Sequence, residues 1–427
     1  MVVSNNKICS LPIEILHDII AYLPLVDEIR LSRTCRLLND LCIPVVYRQV
    51  SFNSRTTSQA VKCYDVITHS DLVARSVRKF TLNLTGKPTA CEFRWHICLD
   101  ALGKTASFLT SLCLVSSGNL DGSSEIMKFT FPRLRELTMS FPDVISFTQF
   151  VDNHPRLVHL SAFLNDPLPP RLSCEPLPVL LPMLETFTGS AQLVALVARG
   201  SRIFRATIMW DIGLDVSSSD YEQIFNTLSQ STVPLTHLEF NMVGFGPQAF
   251  ATMARSLKAL EQLKFRNTHH HNPINSRLYD VIYTGIESIL PEMKCLVRID
   301  IIDDLGLIDL DTSLEQIEMQ YRMLSLWSAL CNTLEICTMP PRITWGRFKK
   351  SGRWISDLET KVSSTWMTKH CKDIPELLGV QRYWEDSRGS SGEVNLARLL
   401  RGDYWKDKRI MMFKRSGRPR RAHEIRS

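Results

Sequence analysis

The chain predicts an α/β architecture, with a short N-terminal helical module followed by an irregular solenoid of strand and helix units on a curved parallel sheet. Three observations lead there. Residues 11–24, LPIEILHDIIAYLP, carry apolar side chains on nearly every face of one short helix. Beyond residue 52, short strand-like segments recur with apolar residues at i, i+3 and i+5. Amphipathic helical patterns lie between many of them, as parallel strands require of their crossovers.

Pro12 suits a first helical position, since its missing N–H has no intrahelical partner there, and Pro24 ends the helix. Ile13, Leu16, Ile20 and Leu23 form one apolar stripe, and Ile15, Ile19 and Tyr22 form a second. Two further short helical patterns follow, one from Val26 and Ile29 towards Cys35, the other through Leu37, Leu38, Leu41 and Cys42 before Pro44. A bundle of about 40 residues is near the lower limit for self-sufficient folding, yet this one has more apolar surface than it can hide. Each large aliphatic side chain left out of a core forfeits about 1.5–3 kcal/mol. The second face therefore calls for a partner protein, or for the body of the same chain if the module is merely a helical cap on the solenoid.

The stretch SLPIEILHDIIAYLPLVDEIRLSRTCRLLNDLC resembles the F-box motif at Leu11, Pro12, Ile15, Leu16, Ile19, Leu23, Asp27, Leu31, Cys35, Arg36 and Leu38. Leu38 departs from the pattern, standing where many members carry Trp. The resemblance implies docking onto a Skp-type adaptor that joins the chain to cullin and RING subunits of a ubiquitin ligase. It places Leu11, Pro12, Ile15, Ile19 and Leu31 foremost on the adaptor-facing side, with Leu16, Cys35 and Leu38 in the wider set.

Ten strand-like segments start at Val77, Leu109, Leu134, Leu157, Leu184, Ile203, Leu235, Leu260, Leu296 and Leu334, roughly 20–38 residues apart. Helices are predicted at SFTQFVDN, SSDYEQIFNTLSQS, PQAFATMARSLKAL, SRLYDVIYTGIESIL and LEQIEMQYRMLSLWSALCN. The asparagine ladder of a regular leucine-rich repeat is mostly missing, so the body reads as a degenerate, leucine-rich-repeat-like solenoid, with a doubly wound sheet as the structural alternative. This body resembles F-box proteins numerous in fungi, including the Pro and Trp of MPPRITWGRFKKSGRW near its end. In that family the repeats recognise the protein to be ubiquitinated. Residues alternating outward on the strands are then the client-binding candidates: His159, Ser161, His237, Glu239, Lys264, Arg266, Arg298 and Asp300. A solvated face explains the same alternation.

Several stretches invite a chemical reading. GFGPQA at 244–249 fits G-x-G-x-x-A, but the next strand ends in Arg266 and Asn267 instead of an acidic residue, so a tight turn explains the glycines. Three consecutive histidines at 269–271 converge poorly on one ion, and Asn272 and Pro273 mark a loop. Cys91, His96 and Cys98 lack a fourth ligand at a sensible spacing. No nucleophile elbow, phosphate loop or His-Glu-x-x-His is found. The expectation is a non-catalytic protein with no cofactor and no metal, either a ubiquitin-ligase receptor or a repeat scaffold acting outside ubiquitination.

With 427 residues, 44% hydrophobic and 22% charged, the chain is ordinary globular material. It shows no signal peptide and no membrane-length apolar run, pointing to the cytoplasm or nucleus. Its 12 cysteines are scattered singly, as reduced thiols are. The net charge of +6 is concentrated at the C-terminus, which argues against nucleic acid as a partner; the basic end reads as a solvated tail or an import signal. The expected divisions are residues 1–52 for the helical module, 53–385 for the solenoid, with a proline-rich loop at 165–182 holding six of 21 prolines, and 386–427 for connector and tail.

Overall fold

The computed structural model describes residues 7–53, 57–84, 95–116, 123–165, 178–210, 218–241, 247–267, 276–303, 313–340, 343–347, 352–356 and 366. The glycines of the 244–249 turn, the 269–271 histidines, Cys91, most of the proline-rich stretch and the 386–427 tail lie outside them. The chain divides into two compact units, Met1–Leu235 and Thr236–Ser427.

The first unit opens with a 3-10 turn at Lys7–Ser10 and helices α1 (Ile13–Tyr22), α2 (Leu25–Ser32) and α3 (Arg36–Val46). Then come β1 (Gln49–Asn53), α4 (Thr57–His69), α5 (Asp71–Ser76), β2 (Lys79–Leu84), α6 (Trp95–Thr105), β3 (Ser111–Ser116), α7 (Ser123–Ile126) and β4 (Glu136–Phe141). The unit continues through α8 (Val144–Asp152), β5 (His159–Leu164), β6 (Thr186–Ser190), α9 (Ala191–Val197), β7 (Arg205–Met209) and α10 (Ser218–Leu228). Strands β1 to β7 pair in parallel, each with its sequence neighbour. A doubly wound sheet reverses direction from a central strand; this consecutive order makes the unit a solenoid. Each strand buries alternate residues, such as Leu137, Met139 and Phe141 of β4. These meet the helix that follows, where Phe141 lies edge-on to Phe147 at 5.2 Å.

The second unit holds β8 (His237–Asn241), α11 (Pro247–Ser256), β9 (Gln262–Asn267), α12 (Ser276–Ile289), β10 (Arg298–Asp303), α13 (Leu314–Leu330) and β11 (Ile336–Met339). Strands β8 to β11 are again parallel and consecutive. The stretch carrying the late Pro and Trp then turns antiparallel, as β12 (Ile343–Arg347) and β13 (Trp354–Ser356). This hairpin covers the edge that β11 would otherwise expose. Trp345 donates its indole N–H to Gln320 of α13 at 2.9 Å, Gln320 donates to the Pro340 carbonyl at 2.7 Å, and Trp366 packs edge-on against Trp345 at 5.5 Å.

One backbone device recurs at the strand entrances of both units. The carbonyl of the residue immediately before a strand accepts two successive N–H groups at the start of the next parallel strand. Arg48 accepts from Arg78 and Lys79, Arg78 from Thr110 and Ser111, Thr110 from Arg135 and Glu136, and Arg135 from Val158 and His159. In the second unit Glu261 accepts from Val297 and Arg298 in the same way. This carbonyl ladder ties the strand entrances of neighbouring repeats together, since buried main-chain donors must find acceptors.

Candidate functional site

Pro12 stands one position outside α1 as its extended N-cap, its carbonyl accepting from Leu16 N–H at 3.1 Å. Pro24 plays the same part for α2, where Asp27 and Glu28 donate to it. Cys35 caps α3. That helix runs through Pro44 to Val46 instead of stopping before the proline, which correct placement of its C-terminal Val45 and Val46 against the core makes favourable.

The module's core consists of Leu16, Ile20, Leu38, Leu41 and Cys42, with Leu31, Cys35, Val45 and Val46 packed against it. Leu16 and Leu38, read from the sequence as part of the adaptor-facing set, are each 2% exposed and belong to this interior. Leu31 and Cys35 are half-buried at its margin. Leu11, Pro12, Ile15 and Ile19 face outward, with Ile15 46% and Ile19 41% exposed. Ile13, Tyr22, Leu25, Val26 and Leu37 join them as exposed apolar side chains that the sequence reading left out of the set. Their signal was present: they are the apolar residues of α1 to α3 that the core does not use.

Asp27 pairs with Arg30 at 3.1 Å on the surface. Glu28 is buried, which pushes its carboxyl up, and the Cys42 thiol is raised by burial and further by Glu28. The arrangement leaves an apolar surface exposed on a three-helix scaffold. Residues 8–53 match the F-box-like family. F-box-like modules generally bind Skp-type adaptors, play adaptor roles in ubiquitin ligases, and are typically non-catalytic. No curated protein matches the chain. Among the described residues no helix is long and apolar enough to cross a membrane.

The client-binding candidates divide between the units. His159 is exposed at the start of β5 and shares a hydrogen bond with Thr186 at 2.6 Å. It lies in a register row running Lys79, Ser111, Glu136, His159, Thr186 and Arg205 across six strands. Burial pushes the Glu136 carboxyl up, but hydrogen bonds from Ser111 and Lys79, with the charges of Lys79 and His159, outweigh it and hold the group below its ordinary value. Ser161 sits half-buried in the next row, between Thr138 and Thr188.

The other six candidates lie on one face of β8, β9 and β10. His237 and Arg298 both align with Gln262, and Glu239, Lys264 and Asp300 share a row. Lys264 and Arg266 both reach one oxygen of Glu239, at 3.0 and 2.9 Å, and Arg298 donates to Asp300 at 2.7 Å. Alternation along β10 predicts an outward Asp300; the residue is instead 7% exposed, at the floor of the longer side chains around it.

Proposed function

We propose that the chain is the substrate-recognition subunit of a cullin-RING, SCF-type ubiquitin ligase. The observation that carries this reading is the exposed apolar face of α1 and its neighbours on a module matching the F-box-like family. In this reading Leu11, Pro12, Ile15 and Ile19, flanked by Leu31 and Cys35, meet a Skp-type adaptor, and Leu16 and Leu38 support that face from within. The adaptor brings the cullin and RING subunits, while the repeats hold a client protein for ubiquitin-dependent degradation. The chain itself does no bond chemistry. Tethering the client near a charged conjugating enzyme raises the effective concentration of its lysines, which is where rate is gained. Such a role suits the cytoplasm or the nucleus.

Co-purification of the full chain with its host's Skp-type adaptor tests the proposal. The native chain is expected to retain the adaptor, and Ile15→Asp with Ile19→Asp to lose it while the sheet signal in circular dichroism is unchanged. A native chain that binds no adaptor overturns the reading.

A further inference from the structure

The polar cluster on β8, β9 and β10 is incomplete in a specific way. Asp300 uses one carboxylate oxygen on Arg298, and its other oxygen, Oδ1, is buried without a hydrogen-bond partner. Asn241, at the end of β8 on the same face, likewise has a buried side-chain oxygen without a partner. An ionised carboxylate has about four acceptor sites, and leaving a buried one unmet costs more than an ordinary lost hydrogen bond. The neighbouring cations are already engaged: Lys264 and Arg266 converge on Glu239, and Arg298 holds the opposite oxygen of Asp300.

We infer that this face receives a segment of the client polypeptide that sets an arginine or lysine side chain on Asp300 Oδ1. The inference rests on the client-receptor reading of the repeats. A cationic donor is favoured because hydrogen bonds between ionised partners are roughly twice as strong as neutral ones. A polypeptide is favoured over a small cation because Asn241 and Asp300 stand on β8 and β10, two strand spacings across and two residues along, about 12 Å apart. One small group cannot reach both oxygens, whereas an extended segment crossing the strands presents donors at that separation. A phosphate group fits poorly: it brings acceptors to a site lacking donors, and the surrounding cations are paired with carboxylates.

The test is a titration of the full chain, labelled at isoleucine methyls, with N-acetyl-arginine amide, its uncharged isostere N-acetyl-citrulline amide, and phosphoserine. The reporters are Ile302, two residues beyond Asp300 on the same face, and Ile336, aligned with Arg298. The arginine probe is expected to shift both methyls at millimolar concentration, the other two probes to leave them in place, and Asp300→Asn to weaken the response at least tenfold. Arg298→Gln, which releases the second oxygen of Asp300, is expected to strengthen it several-fold and serves if Asp300→Asn folds poorly. Equal responses to arginine and citrulline, a response to phosphoserine in place of arginine, or no response to any probe overturns the inference. Adaptor binding does not enter this readout, so failure here and failure of the ligase reading are separate results.

Discussion

His154 makes the stability of the first unit dependent on pH, and the sign follows from its hydrogen bonds. The imidazole is 2% exposed and packs tilted against the rings of Phe131 and Phe150, at 5.7 and 4.4 Å. Its Nε2 accepts the Phe131 N–H at 2.9 Å, so the proton sits on Nδ1, which donates to the Phe150 carbonyl at 2.6 Å. Burial holds its pKa below the ordinary 6.5, against the upward pull of the Phe150 carbonyl. A second proton on Nε2 would face the Phe131 N–H donor. As pH falls below 6.5, the unfolded chain takes up a proton that the native state refuses. Stability is therefore complete above that pH and declines below it, by up to about 1.4 kcal/mol per pH unit, until the native imidazole itself protonates. His154→Gln keeps an acceptor for Phe131 without a titrating group, at a cost of about 1 kcal/mol at neutral pH for the lost bond to Phe150. Urea midpoints between pH 7.5 and 5.5, read by hydrogen exchange of the segment containing Phe131, should fall more steeply for the native chain than for the variant. Identical slopes would refute the assigned tautomer and the argument built on it.

Other expectations concern packing and docking. Ile15→Ala with Ile19→Ala removes two side chains that each have roughly half their burial still to gain, about 1 kcal/mol apiece, so calorimetry should show adaptor binding weakened about 30-fold. Leu38→Ala instead empties the module's core and should cost about 2–5 kcal/mol, seen as lost exchange protection across α1 to α3. A Cβ at Gly189 would stand 1.9 Å from the Ala162 carbonyl oxygen of the adjacent strand; Gly189→Ala should destabilise the first unit by about 3 kcal/mol in a thermal melt. Gln320→Leu strands the Trp345 N–H and the Pro340 carbonyl, and a loss of about 2–4 kcal/mol should register in tryptophan-detected unfolding of the second unit.

Much of the architecture was legible because leucine spacing repeats. All ten anticipated strand segments contain a strand, from β2 to β11, and the five anticipated helices correspond to α8 and α10 to α13. What escaped lacked that signal. Strand β1, QVSFN, has no leucine frame, and α9, AQLVALV, is buried on almost every side, which erases the helical period. The F-box-like face was half legible. Two apolar stripes on α1 are visible in the sequence, but periodicity does not say which turns inward; Leu38, Leu41 and Cys42 of α3 decide it by packing on Leu16 and Ile20, leaving Ile15, Ile19 and Tyr22 exposed. Strand alternation likewise assigns Asp300 to a face without giving its depth, because depth depends on the neighbouring lysine and arginine side chains.

The carbonyl ladder has a consequence for how such a chain can change over time. Each rung needs one acceptor and two successive donors, so proline is barred from two positions per repeat. Pro132, Pro155 and Pro182 each stand three residues ahead of the first donor, at Arg135, Val158 and Glu185. Everything between one rung and the next is free to lengthen, shorten or exchange a helix for a loop without moving the strands out of alignment. Insertions and deletions between rungs should therefore be inherited far more readily than a single proline at a rung.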